Sequence, residues 1–201
     1  MTLGRLHVIV DTVDLARAAI DGGAPVVQVR LKAGSDRQRF GVASVIAELC
    51  RHAGTLCIVN DRADIAVAVG AGGTHVGSDD LPVPAVRNLV GAAYVVGATA
   101  RDPATARRLE ADGATYLGVG PTFGTSSKPG LPSSLGLDGL RAVVDAVSIP
   151  VIAIAGVTAN RISGVLAAGA HGVAVVGAVA HASDPRQATA DLLAALREPV
   201  P

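Results

Sequence analysis

The sequence predicts an α/β chain folded as one (β/α)8 barrel of the TIM-barrel type, a single domain over residues 1–201. Three observations lead there. Eight short apolar runs are continuous rather than alternating, the mark of parallel strands covered on both faces. The segments between them carry helix start and stop signals. The length suits one domain and sits near the lower limit for such a barrel.

The elements follow in order along the chain. Leu6–Val10 is the first strand, and a short helix runs from roughly Leu15 to Ile20. Asp21-Gly22-Gly23 ends that helix and leads into Val26–Val29. Ser35 with Gln38 forms a capping box for the second helix, and Gly54 closes it before Leu56–Val59. A helix beginning at about Ala63 ends at Ala71-Gly72-Gly73, ahead of Thr74–Val76. Tyr94–Val96 is the fifth strand. Asp102-Pro103 sets an N-cap before a proline at the first helical position, and Asp112-Gly113-Ala114 leads into Tyr116–Val119. Val151–Ile154 is the seventh strand, Ala168-Gly169-Ala170 the next joint and Gly172–Val176 the eighth strand. Asp184-Pro185 opens the last helix. Glycine recurs at the joints because it suits the left-handed residue that ends a helix.

Composition excludes several function classes. Apolar residues make up 50% of the chain and charged residues 17%, which rules out a disordered chain. The formal net charge of +0 gives no basic field for nucleic acid, so an anionic ligand needs a local site. No stretch is long and apolar enough to span a membrane. The N-terminal apolar run is too short for a signal-peptide core. Cys50 and Cys57 lack ligand spacing and read as buried thiols in a reducing compartment. These features predict a soluble cytoplasmic protein with no nucleic-acid or membrane partner, and they leave a homo-oligomer open.

In such barrels the active site is built where the strands end. Gln28 lies at the end of the second run and Arg30 and Lys32 follow it, Asn60 and Asp61 follow the third, and Asp80 the fourth. Thr99 follows the fifth run, and Thr125, Ser127 and Lys128 lie in the loop after the sixth. Gly156 and Gly177 follow the seventh and eighth. Of 17 Lys and Arg residues only Lys32 and Lys128 are lysines, and both fall on these loops. An ammonium is a mobile point charge where a guanidinium is a rigid fork.

Asp61 and Asp80 follow neighbouring strands, about 5 Å apart, and two carboxylates plus substrate phosphates suit Mg2+. Spacing alone equally allows each acid to cap the helix after it. The polar loop at 124–130 offers hydroxyls, amides and a cation for a phosphate, or is a lid without a ligand. Gly156 and Gly177 stand where these barrels bind phosphate through backbone N–H groups, or are turn glycines. His75, alone in a strand, reads as structural. His7, His52, His171 and His181 show no metal spacing. The residues thus predict a barrel that handles phosphorylated small molecules with Mg2+, without naming the reaction.

The ordered set of strand-end segments resembles the thiamine phosphate synthase family along nearly the whole chain. Gln28 to Lys32 looks like the family's QxRxK, and Asn60 to Ala66 like its NDRxDxA. His75 to Pro82 is similar to HxGQxDLP, Gly120 to Lys128 to GPxxxTxTK, and Ile149 to Val157 to IPVxAIGGI. The resemblance implies a transferase of thiamine biosynthesis. It would join an aminomethylpyrimidine diphosphate to a thiazole phosphate, releasing thiamine phosphate and pyrophosphate by a dissociative, Mg2+-assisted path. It further implies Asp61 and Asp80 as metal ligands, and Arg30, Lys32 and Lys128 as catalytic cations. Gln28 and Asn60 would bind the pyrimidine. Thr99, Thr125 and Ser127 would hold the pyrophosphate, and Gly156, Val176 and Gly177 the thiazole phosphate.

Several residues depart from the family pattern. Ser78 stands for Gln, Arg101 for a common His, and Ala155 for the first Gly of GGI. Gly177 replaces Ser or Thr, while Thr99 and Ser127 keep a hydroxyl. The loop after Asp11 is short, and His7 stands where Tyr is frequent. These changes bear on substrate detail more than on metal binding. Two rival readings are a thiazole tautomerase, which would use a His near position 101, and a catalytically silent thiazole phosphate-binding regulator.

Overall fold

A computed structural model describes residues 3–124 and 133–198. Eight parallel strands close into a barrel in sequence order, β8 pairing with β1. The strands are β1 (Leu6–Val10), β2 (Val26–Val29), β3 (Leu56–Asn60) and β4 (Gly73–Val76). β5 (Val95–Ala100), β6 (Tyr116–Val119), β7 (Val151–Ile154) and β8 (Gly172–Val175) complete it. Between them run α1 (Val13–Asp21), α2 (Asp36–Ala53), α3 (Ala63–Ala68), α4 (Val83–Val90) and α5 (Pro103–Ala111). Then come α6 (Gly136–Val144), α7 (Ile162–Ala167), the short α8 (Gly177–Ala180) and α9 (Pro185–Arg197).

The continuous apolar runs explain the closure. Alternate strand residues face the barrel axis and the helices, so both sets must be apolar. Ile9, Val26, Ile58, Tyr116, Ile152 and Ala174 pack together on the axis. Val8, Val10, Val27, Val59, Val96, Leu117 and Val173 pack outward against the helices. Fully burying one such side chain contributes about 1.5–3 kcal/mol. Among the described residues, the polar residues buried whole each have a partner. Gln28 bonds Asn60, Thr74 bonds the Val59 carbonyl and Thr189 that of Pro185.

The caps form as expected. Ser35 and Gln38 close a capping box, and Asp102 and Asp184 accept from the N3 amides of α5 and α9. Three differences are informative. Helix α1 starts earlier, because the Thr12 hydroxyl caps it by accepting from the Leu15 amide. β5 runs to Ala100, its outward positions Val96, Ala98 and Ala100 all small enough to be buried under helices. At the third joint the left-handed residue is Gly70, not Gly72 or Gly73. Those two are needed for room: a Cβ on Gly72 would lie 2.6 Å from Leu56 Cδ1, and one on Gly73 2.9 Å from the Val95 carbonyl oxygen.

Candidate active site

The polar residues collect at the C-terminal mouth. Gln28, at the inner end of β2, is buried and donates from Nε2 to Asn60 Oδ1 at 2.8 Å. Asn60 in turn donates from Nδ2 to Asp61 Oδ1. The two amides are therefore locked in sequence, each fixing the direction of the next. A cavity of about 270 Å³ opens beside them, lined by Arg30, Lys32, Arg39, Asn60, Asp61 and Arg62 among others. Arg62 is held by Asp36 at 2.5 Å and Asp64 at 2.6 Å. Its guanidinium draws both carboxyls below the usual carboxylate range. Arg39 carries a buried Nε without a partner among the described residues. Sequence reasoning missed this cation, because one arginine in the first turns of α2 looks like any other surface charge.

Both candidate metal acids are tied to the end of β4. The Asp61 amide donates to the His75 carbonyl at 2.7 Å, and Asp80 Oδ2 accepts from the Gly77 amide at 2.7 Å. Neither acid caps the helix after it. Arg62 is the N-cap of α3 and Pro82 that of α4, each without a side-chain cap bond. Asp61 also adopts a left-handed backbone, φ 67°, which an aspartate tolerates better than most residues. Among the described residues no group of three or more His, Cys, Asp or Glu could hold a metal. Asp61 lines the first cavity and Asp80 a second one beside β4, and a pair of aspartates of this kind suits a hard cation that arrives with phosphate oxygens, a donor set that fits Mg2+.

Asp80 and Thr99 line a second cavity, of about 210 Å³, with Gly77, Ser78 and Arg108. Thr99 meets a residue that sequence reasoning left structural: His75 Nε2 lies 3.0 Å from Thr99 Oγ1. The other ring nitrogen of His75 lies 2.9 Å from the Tyr116 hydroxyl. Burial pushes the His75 imidazole down to about 4, with Asp80 opposing and Arg30 assisting. Its signal in the sequence was only its inward position one turn of pleat below Thr99.

The opposite side of the mouth is built from backbone. Gly156 follows β7 with φ 68°, and a Cβ there would sit 2.5 Å from the Gly124 carbonyl oxygen and 2.8 Å from Phe123 Cβ. Its own carbonyl accepts from Arg161 Nη1 at 2.6 Å. Ala155 beside it is also left-handed, φ 75°. Val176 does not extend β8. It is the N-cap of α8, and Gly177 is that helix's first residue. Thr125, Ser127 and Lys128 lie outside the described residues. Arg101 braces the two ends of the loop that carries them, donating from Nε to the Gly120 carbonyl at 3.2 Å and from Nη2 to that of Ser133 at 2.9 Å.

The chain is similar to known proteins along most of its length. The family profile for thiamine monophosphate synthase matches residues 6–179. The chain is similar to a thiamine-phosphate synthase of Salinispora arenicola, 50% identical, with 97% of this chain and 98% of the relative covered. One from Salinibacter ruber is 44% identical, covering 97% and 89%. Among solved structures, a thiamine phosphate pyrophosphorylase from Pyrococcus furiosus superposes with a TM-score of 0.89 at 34% identity, covering 96% of this chain and 95% of that one. A 3-hexulose-6-phosphate synthase shares the fold alone, with a TM-score of 0.72 at 24% identity.

Proposed function

The chain belongs to the thiamine monophosphate synthase family, and from that premise we propose how its own residues perform the reaction. It is a transferase of the thiamine phosphate synthase type. The substrates are an aminomethylpyrimidine diphosphate and a thiazole phosphate. The observation that carries the reading is the cavity shared by Arg30, Lys32, Asn60 and Asp61, with Gln28 bonded to Asn60 and Asp80 tied to the same strand end as the Asp61 backbone.

Gln28 and Asn60 hold the aminopyrimidine. Their mutual hydrogen bond fixes which amide atoms remain for the ring, so the base is bound in one orientation. Arg30, Lys32 and, from the loop, Lys128 surround the diphosphate and offset the charge that grows as it leaves. Thr99, Thr125 and Ser127 add hydroxyl contacts to it. Asp61 and Asp80 would hold Mg2+, which supplies further charge neutralisation at the diphosphate oxygens. Gly156, Val176 and Gly177 bind the thiazole phosphate and present the ring nitrogen.

The C–O bond to the diphosphate breaks first, and the oxygen keeps the electron pair. The pyrimidinylmethyl cation is then trapped by the lone pair of the thiazole nitrogen, which forms the new C–N bond. No proton moves in the bond-forming step, so no general base is needed. A tautomerase would need a proton carrier near position 101, where the Arg101 guanidinium is committed to two carbonyls. A reaction site in the cytoplasm agrees with two free buried thiols, Cys50 and Cys57.

The test is direct. The protein is incubated with both substrates and Mg2+, and thiamine phosphate and pyrophosphate are measured. Equimolar appearance of the two is expected. Absence of product at saturating substrate would reject the reading.

A further inference from the structure

We propose that Tyr116, His75 and Thr99 form a hydrogen-bond relay that commits the Thr99 hydroxyl to donating toward the substrate's anionic oxygens. The inference rests on the reading above that Thr99 contacts the diphosphate. It adds a positioning role for two residues that touch no substrate.

The geometry begins with three adjacent strands. His75 on β4 is level with Gly97 on β5, which is level with Tyr116 on β6. Thr99 is level with Gly118 one row nearer the mouth. All five positions face the barrel axis. The glycines are what let the ring systems meet. A Cβ on Gly97 would overlap the Tyr116 ring, and one on Gly118 would lie 3.0 Å from His75 Cε1. Tyr116 therefore reaches across Gly97 to His75, with ring centroids 5.5 Å apart.

Hydrogen-bond polarity then has one consistent solution. Tyr116 is 1% exposed, and His75 Nδ1 is its only hydroxyl partner among the described residues. If Nδ1 carried a proton, the phenol would have to accept, and its own O–H would be buried without an acceptor. That outcome is costly inside a protein. So the phenol donates and Nδ1 accepts. A neutral imidazole with an accepting Nδ1 carries its proton on Nε2. Nε2–H donates to Thr99 Oγ1 at 3.0 Å. With Oγ1 already accepting from the ring, the Thr99 O–H is turned away from His75. The side chain is only partly buried and lines a cavity with Asp80, so the hydrogen has access to a ligand oxygen there. Burial of the phenol also pushes the Tyr116 hydroxyl upward, keeping its proton in place.

Two measurements test this. Imidazole 15N NMR on the wild-type protein should show His75 neutral, protonated at Nε2 and bare at Nδ1. The opposite tautomer overturns the relay without any variant. Steady-state kinetics of Thr99→Ala, Tyr116→Phe and the double variant supply the second arm. Thr99→Ala should lower kcat/KM for the diphosphate substrate by roughly tenfold or more, and Tyr116→Phe by about threefold to tenfold. The Tyr116→Phe effect should vanish in the Thr99→Ala background, and neither variant should move KM for the thiazole phosphate. A Tyr116→Phe loss of equal size in both backgrounds would mean a packing role and overturns the relay. Full activity in Thr99→Ala would instead remove the diphosphate contact itself, and with it the relay's purpose, whatever tautomer the spectrum shows.

Discussion

The two sides of the barrel mouth are built from different materials. From β2 to β5 the mouth is made of side chains: two amides, two acids, a hydroxyl and several cations, with Gln28, Asn60 and Asp61 linked in a row by hydrogen bonds. From β6 to β8 it is made of backbone: Gly120, Gly124, Ala155 and Gly156, where chain turns approach one another, and Gly177 at the start of α8. Side chains of the first kind are suited to neutralising charge. Backbone of the second kind is suited to offering amide donors whose direction is set by the path of the chain. Among the described residues, each side carries one non-glycine residue in the left-handed region, Asp61 and Ala155. Strain at a site of this kind is held by the surrounding structure.

The comparison can be broken by showing that the two sides are not separable. The largest effect is expected at the acids. Asp80→Ala should lower turnover by about 10²–10³-fold, while the melting temperature moves by only a few degrees. Calorimetry should find thiazole phosphate binding unchanged in that variant. A matching loss of thiazole phosphate affinity would end the division of labour.

Next in size is a pH effect beneath the side-chain side. Burial pushes His7 down to about 3 and His75 to about 4, against 6.5 unperturbed. The folded pKa values are depressed, so the unfolded chain binds more protons at low pH. Their contribution is complete above about pH 6.5 and is lost as pH falls toward 4 and then 3. Urea denaturation should show a loss of at least about 3 kcal/mol across that window, which is the share of His75 alone. A flat profile between pH 6.5 and 4 would contradict the depressed values.

Gly156→Ala sharpens the other side. The new Cβ meets Gly124 and Phe123 and imposes a left-handed alanine. A destabilisation of about 1–3 kcal/mol is expected, with a raised KM for thiazole phosphate alone. The smallest effect is expected at its neighbour. Ala155→Gly removes strain at φ 75° and should raise stability by roughly 1 kcal/mol, with activity unchanged. A lower melting temperature would mean the strain is absent.

This division also explains what was legible in the sequence. The barrel was readable because its strands must be apolar on both faces, and four of the eight runs match their strands end to end. The side-chain half was readable because acids, amides and lysines after strands are chemically distinctive. Whether Asp61 and Asp80 cap helices could not be decided from spacing, since it depends on where each carboxylate turns. His75 was passed over because a partner 41 residues away decides its role. The backbone half was barely readable. A glycine that binds, a glycine that turns and a glycine that makes room are written with the same letter. Val176 shows the cost, since it looked like strand and begins a short helix instead.

Gly97 and Tyr116 occupy one volume between them, so neither can change alone. Any side chain at 97 requires a smaller residue at 116, and a smaller residue at 116 leaves a hole in the floor. A search for altered specificity that samples one position at a time will find this floor immovable. Libraries that vary both positions together are the ones able to deepen the pocket.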